Sequence, residues 1–191
     1  MSEFAKLWRA FYPNAQPIAY LMRYARVPHS VRFHSLPLSK QYPETDDEYS
    51  IMLGRQNELA SAVLGENHPC WLVQTCWITP EGCVEISDEF EMFRVTREFG
   101  LEHAFTFQVE GDDSGWNVMA APVFWTRGGF DEVLLRIADE QAAPTLWVSA
   151  EHGAVFAPYD GGVDLFLPSE AMAEELRSAH VDWLPPHPRE L

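Results

Sequence analysis

The chain has 191 residues, 47% of them hydrophobic and 13% aromatic, and its 13 basic and 29 acidic side chains leave a net charge of −16. This composition excludes a disordered chain and is enough for one sizeable core, so a single domain over residues 1–191 is expected. A body this acidic repels phosphates and anionic lipids, which argues against nucleic acid or a membrane as partner and leaves a basic protein. No apolar run reaches the roughly 18 residues of a membrane helix, and the opening "MSEFAKLWRAFYP" has neither the basic nor the apolar region of a signal peptide, so a cytoplasmic protein is expected. Cys70, Cys76 and Cys83 are odd in number and form no close pair, which reads as reduced thiols.

The charge is unevenly distributed. Residues 1–42 carry six basic side chains against Glu3 alone, a net +5, and the remainder carries seven basic and 28 acidic, a net −21. The chain thus reads as a basic helical segment, 1–42, packed on an acidic body.

Phe4, Leu7, Trp8 and Phe11 recur at helical spacing before Pro13, and Ile18, Leu21, Met22 and Ala25 repeat it between Pro17 and Pro28;. Both are short amphipathic helices, with Arg23 and Arg26 off the apolar stripe and facing outward. "TDDE" announces a third helix from Thr45 to Gly65, with Thr45 and Glu48 as a capping box and a stripe of Tyr49, Met52, Leu53, Leu59, Ala60 and Val63 broken at Gln56;. "CWLVQTCWI", 70–78, is an apolar run that suits an inner strand. Residues 84–99 fit either helix or strand. "HAFTFQVE", the turn "GDDSG" and "WNVMAAPVFW" follow, then a helix from Phe130 to about Gln141. The strands "TLWVSA", "AVFAPY" and "VDLFLP" lead to a last helix from about Ser169 to His180 and a tail expected to be pinned by Trp183. The fold class predicted is α+β, a mixed, mostly antiparallel sheet with helices packed on it.

Asp160-Gly161 lies between two apolar runs, a strong signal for a type I′ hairpin in which both central residues take positive φ. With Val163, Leu165 and Leu167 on one face of the strand, Asp164 falls with Phe166 on the other and reads as a solvent-facing residue. Turn chemistry explains both acids without a reaction.

"PYDGGVDLFLP", followed by a helix and "HVDWLPPHPREL", resembles the C-terminal segment of a bacterial family of unknown function, in which a Tyr-Asp-x-x-Gly-x-Asp hairpin precedes a short helix and a Trp-Leu close. "VRFHSLP", 31–37, is similar to that family's Arg-Phe element ahead of a long helix, and "CWLVQTCW" stands where it has its next strand. The resemblance implies a fold and carries no mechanism.

The nucleophile elbow, the P-loop, the dinucleotide fingerprint, the zincin helix and the C-x-x-C pair are all missing, so no catalytic residue and no cofactor is assigned. His68 and Cys70 stand two apart without a second pair at ligand spacing, so no metal centre is expected. What remains is a non-enzymatic interaction protein, of immunity type, whose acidic body binds a basic partner. The alternative is a small enzyme or anion-binding module that uses Arg32, His34 and Lys40 with Tyr159, Asp160 or Asp164 across a cleft.

Overall fold

A computed structural model of the chain describes residues 1–79, 82–83, 91–109 and 115–186. The "GDDSG" turn through Ser114 and the first part of the ambiguous 84–99 stretch lie outside these residues. Its second part is helical, a 3-10 turn at Glu91–Phe93 running into α4. The helices are α1 (Glu3–Phe11), α2 (Ala19–Tyr24), α3 (Asp46–Leu64), α4 (Arg94–Glu98), α5 (Asp131–Ala138) and α6 (Glu170–Ala179). The strands are β1 (Ser30–His34), β2 (Pro69–Thr79), β3 (Gly82–Cys83), β4 (Glu102–Gln108), β5 (Gly115–Phe124), β6 (Thr145–Ser149), β7 (Val155–Tyr159) and β8 (Gly162–Phe166).

They form one α+β sheet of order β1-β8-β7-β6-β2-β5-β4, with β3 paired to β2 and every described pairing antiparallel. Successive strand residues point to opposite faces, and both faces are covered. On one, Leu72, Trp147, Phe156 and Leu165 meet Leu59 and Val63 of α3, Leu134 of α5 and Leu176 of α6. On the other, Val73, Val118, Leu146 and Val155 meet Phe4 and Trp8 of α1, with Ile18 and Met22 of the α2 region. This double covering is why the central strands read as unbroken apolar runs rather than as alternation. None of the described helices is long and apolar enough to cross a membrane.

Local chemistry sets the helix ends. Thr45 Oγ1 accepts the Glu48 amide N–H at 3.3 Å, while the Glu48 carboxylate reaches back to the Glu44 amide at 2.7 Å, one residue earlier than a regular capping box;. The expected break in the α3 stripe does not occur, because Gln56 is buried and donates to Ser35 Oγ at 2.8 Å. Trp183 holds the tail by stacking on His180, ring centroids 4.2 Å apart, under the guanidinium of Arg55.

The β7–β8 hairpin corrects the expected turn. Register pairs Tyr159 with Gly162, so Asp160 and Gly161 are the two loop residues, yet neither has the positive φ of a type I′ turn;. The position that demands glycine is the next one. A Cβ at Gly162 would stand 2.3 Å from the carbonyl oxygen of Phe33 and 2.8 Å from the Tyr159 hydroxyl, since β1 and the tyrosine ring both close on it. At Gly161 the nearest atom is a flexible Gln41 methylene at 3.3 Å. Gly162→Ala is therefore expected to lower stability by about 1–3 kcal/mol, the usual cost of overpacking, and Gly161→Ala by less than about 1 kcal/mol. Urea denaturation of the two variants reads the difference, and equal losses would contradict it.

Candidate functional site

Asp164 sits opposite Arg32 of β1 and Ala157 of β7 in the sheet ladder. The strand alternation predicts the face it points to, but that face lies under α2 and not in solvent. Its side chain is 3% exposed, and Asp164 is therefore a buried residue, contrary to expectation. One carboxylate oxygen accepts Arg32 Nε at 2.9 Å, and the other accepts Arg23 Nη1 from α2. Arg23 is correspondingly turned inward, not outward. A carboxylate taken out of water needs such compensation, and two guanidiniums supply it from either side.

Arg32 in turn positions Tyr159, with its Cζ 5.3 Å from the ring centroid. Burial pushes the Arg32 pKa down, but the hydrogen bond and charge of Asp164 outweigh it, and the net shift is upward. Burial is the main cause that pushes the Tyr159 phenol up to about 12, so at neutral pH its hydroxyl is a proton-bearing donor;.

Above this ion-paired floor lies a cleft of about 500 Å³. Ile18, Pro144, Leu146 and Pro158 give it apolar walls, and Tyr20 closes one side. Glu140 and Asp160 stand at its mouth, bridged by one short segment. Gln41 Nε2 donates to Asp160 and, at 3.0 Å, to the Tyr42 hydroxyl, which donates to Glu140 at 3.3 Å. Among the described residues no cation contacts either carboxylate. Partial burial and these two acids raise the Tyr42 pKa.

Of the residues singled out from sequence, Arg32, Tyr159 and Asp160 line the cleft and Asp164 lies beneath it. Lys40 is elsewhere, held by Glu44 at 2.8 Å and Glu48 at 2.7 Å. His34, two residues along β1 from Arg32, is not among the lining residues, and its carbonyl accepts from Arg55 at 3.1 Å. Tyr20, Arg23, Gln41, Tyr42 and Glu140 were missed. Tyr20 and Tyr24 at i and i+4 around Arg23 were the available signal. Among the described residues no group of three or more His, Cys, Asp or Glu is placed to hold a metal ion. Burial pushes the Cys70 thiol up to about 12, which makes it unreactive;.

The family described as a domain of unknown function (DUF3885) matches residues 18–188. The chain belongs to this family. All of the cleft residues except Pro17 fall within the matched stretch. Comparison with curated proteins and with solved structures gives no match.

Removing the Asp164 carboxylate would take away the counter-ion that the Arg23 and Arg32 guanidiniums share. Asp164→Ala is expected to cost about 3–5 kcal/mol in urea denaturation, and Asp160→Ala no more than about 0.5 kcal/mol. A small loss at Asp164 would show that water replaces the ion pairs.

Tyr159 also sets an alkaline limit. Its folded pKa, about 12, lies above the ordinary phenol value of 10.0, so from pH 10 upward the unfolded chain releases a proton that the folded chain keeps;. Stability therefore falls as pH rises from 10 towards 12, by about 2 kcal/mol from this residue. Tyr159→Phe should make that part of the stability profile less steep, with the remaining slope shared by Tyr12, Cys70, Tyr42 and Tyr49, whose pKa values are also raised.

Proposed function

We propose that this chain is a non-catalytic binding module for a basic protein partner, and that the cleft under α2 is the anchor for one lysine or arginine side chain of that partner. The observation that carries this reading is the pair of carboxylates at the mouth, Glu140 and Asp160, held in place by neutral donors and contacted by no cation among the described residues. The guanidiniums of the floor, by contrast, already share Asp164. An incoming basic side chain would lay its aliphatic stem along Pro144 and Pro158, bring its charge to the two acids, and face the rings of Tyr20 and Tyr159;. The net charge of −16 would steer such a partner from a distance;. Masking of a basic toxin, the immunity-type role, is one function this chemistry suits. The anion-binding alternative has less support, since two glutamates neutralise Lys40 and His34 stands outside the cleft lining.

A fluorescein-labelled acetyl-Gly-Arg-Gly-Arg-Gly-amide at low salt tests the anchor. Asp160→Lys and Glu140→Lys should each weaken its binding at least tenfold in fluorescence anisotropy. Asp46→Lys, an equal change of net charge at the exposed start of α3, should weaken it less than threefold. Equal losses at all three positions would mean that net charge alone attracts the peptide.

A further inference from the structure

A second cleft, of about 590 Å³, adjoins the first and shares Tyr20 and Arg23 with it. Arg26, His29 and Arg177 stand in it with Tyr24. Two of its three guanidiniums are already held by carboxylates. Asp164 holds Arg23, Glu170 and Glu174 hold Arg177 at 2.7 and 3.3 Å, and Glu170 faces His29 at 3.0 Å. Arg26 is exposed, and no carboxylate among the described residues pairs with it. The two clefts adjoin at Tyr20 and Arg23, and the groove they would make together carries uncompensated negative charge at Glu140 and Asp160 and, among the described residues, uncompensated positive charge at Arg26.

Tyr20, at the junction, and Tyr24, in the second cleft, stand between those ends. Tyr20 and Tyr24 are 37% and 82% exposed on successive turns of α2, with rings edge to face at 6.3 Å. Exposed tyrosines flanking a groove are the residue type that carries binding energy in interfaces. The Arg26 backbone adds an independent observation. Its amide bonds to the Arg23 carbonyl at 2.8 Å and the Val27 amide to the Met22 carbonyl at 3.1 Å, which is a Schellman closure of α2 with Arg26 at the left-handed position, φ 51°;. Glycine is favoured there, and an arginine costs stability without improving the cap. Residues held in such conformations concentrate at ligand-binding sites.

We infer that the partner's docking element is an extended, proline-rich segment that lies along this groove, with a cationic residue against Glu140 and Asp160 and an anionic residue against Arg26. The inference rests on the anchor-cleft reading and extends it. Each cleft alone has the size of a small-molecule pocket, and the two joined offer more length than a small ligand fills. A proline-rich chain is already extended, loses little entropy on binding, packs its rings on tyrosine faces and leaves its carbonyls free for tyrosine hydroxyls.

Three fluorescein-labelled peptides test it by anisotropy on the intact chain: Arg-Pro-Leu-Pro-Pro-Leu-Pro-Pro-Glu, the same peptide ending in Arg, and the first with Gly and Ser in place of Pro and Leu. The first should bind at least tenfold more tightly than the Gly/Ser peptide and at least threefold more tightly than the two-arginine peptide. Arg26→Glu should reverse the latter preference. Arg26→Gly should raise the Tm while weakening the Arg…Glu peptide at least fivefold, and Tyr24→Ala should weaken it similarly. Equal binding of the proline-rich and Gly/Ser peptides, or a preference unchanged by Arg26→Glu, overturns the groove. If Asp160→Lys still abolishes binding in that case, the anchor cleft stands without the groove; if it has no effect, the anchor fails as well.

Discussion

A single buried carboxylate ties α2 and the edge strand β1 to the same point of the sheet. Asp164 lies on β8, next to the edge strand, on the sheet face that α1 and α2 cover, and receives Arg32 from the neighbouring strand and Arg23 from α2. Six residues are too few for α2 to persist by itself, and it buries only Met22 within its own length;. The ion pair therefore fixes how the helix lies on the sheet. An apolar replacement of such a triad can be equally stable, whereas losing one partner is costly, so the arrangement enforces geometry more than it adds stability. What it specifies is the cleft: Arg32 supports the Tyr159 ring, and Arg23 places Tyr20 along the wall.

The charges of the molecule sort by depth. Arg23 and Arg32 meet Asp164 against the sheet, Arg94, Arg136 and Arg177 meet exposed glutamates, and Glu140 and Asp160 stand at the cleft. Lys40 shows the same economy, since it is consumed by Glu44 and Glu48 at the entry to α3 and contributes to no open positive patch. With a net charge of −16, the chain presents an excess of acids at its surface. The tight fit at Gly162 belongs to the same device, because the ring of Tyr159 and the backbone of β1 both close against the spot where a side chain would stand.

Much of the architecture was legible because it depends on neighbours in sequence. The stripes of α1 and α5, the Thr45 cap of α3 and the Ser169 cap of α6 are local patterns, and the structure contains each of them. Strand alternation even assigned Asp164 to the correct face of β8. What that face meets was not legible, because Arg23 and Arg32 reach Asp164 across 141 and 132 residues of chain, and no periodicity reports contacts of that span. The hairpin misled for a related reason: an Asp-Gly pair signals a turn from local propensity, but the glycine that cannot be replaced is Gly162, where β1 arrives from far upstream.

The sequence by itself therefore determined the elements, the charge imbalance and the apolar surfaces that had to be buried, since these follow from side-chain chemistry at fixed spacing along one chain. Only the tertiary structure decided which acids lie buried with counter-ions and which face the open cleft. That choice depends on which strands and helices become neighbours in space, and the free energy of a charge is set by those neighbours rather than by its place in the sequence.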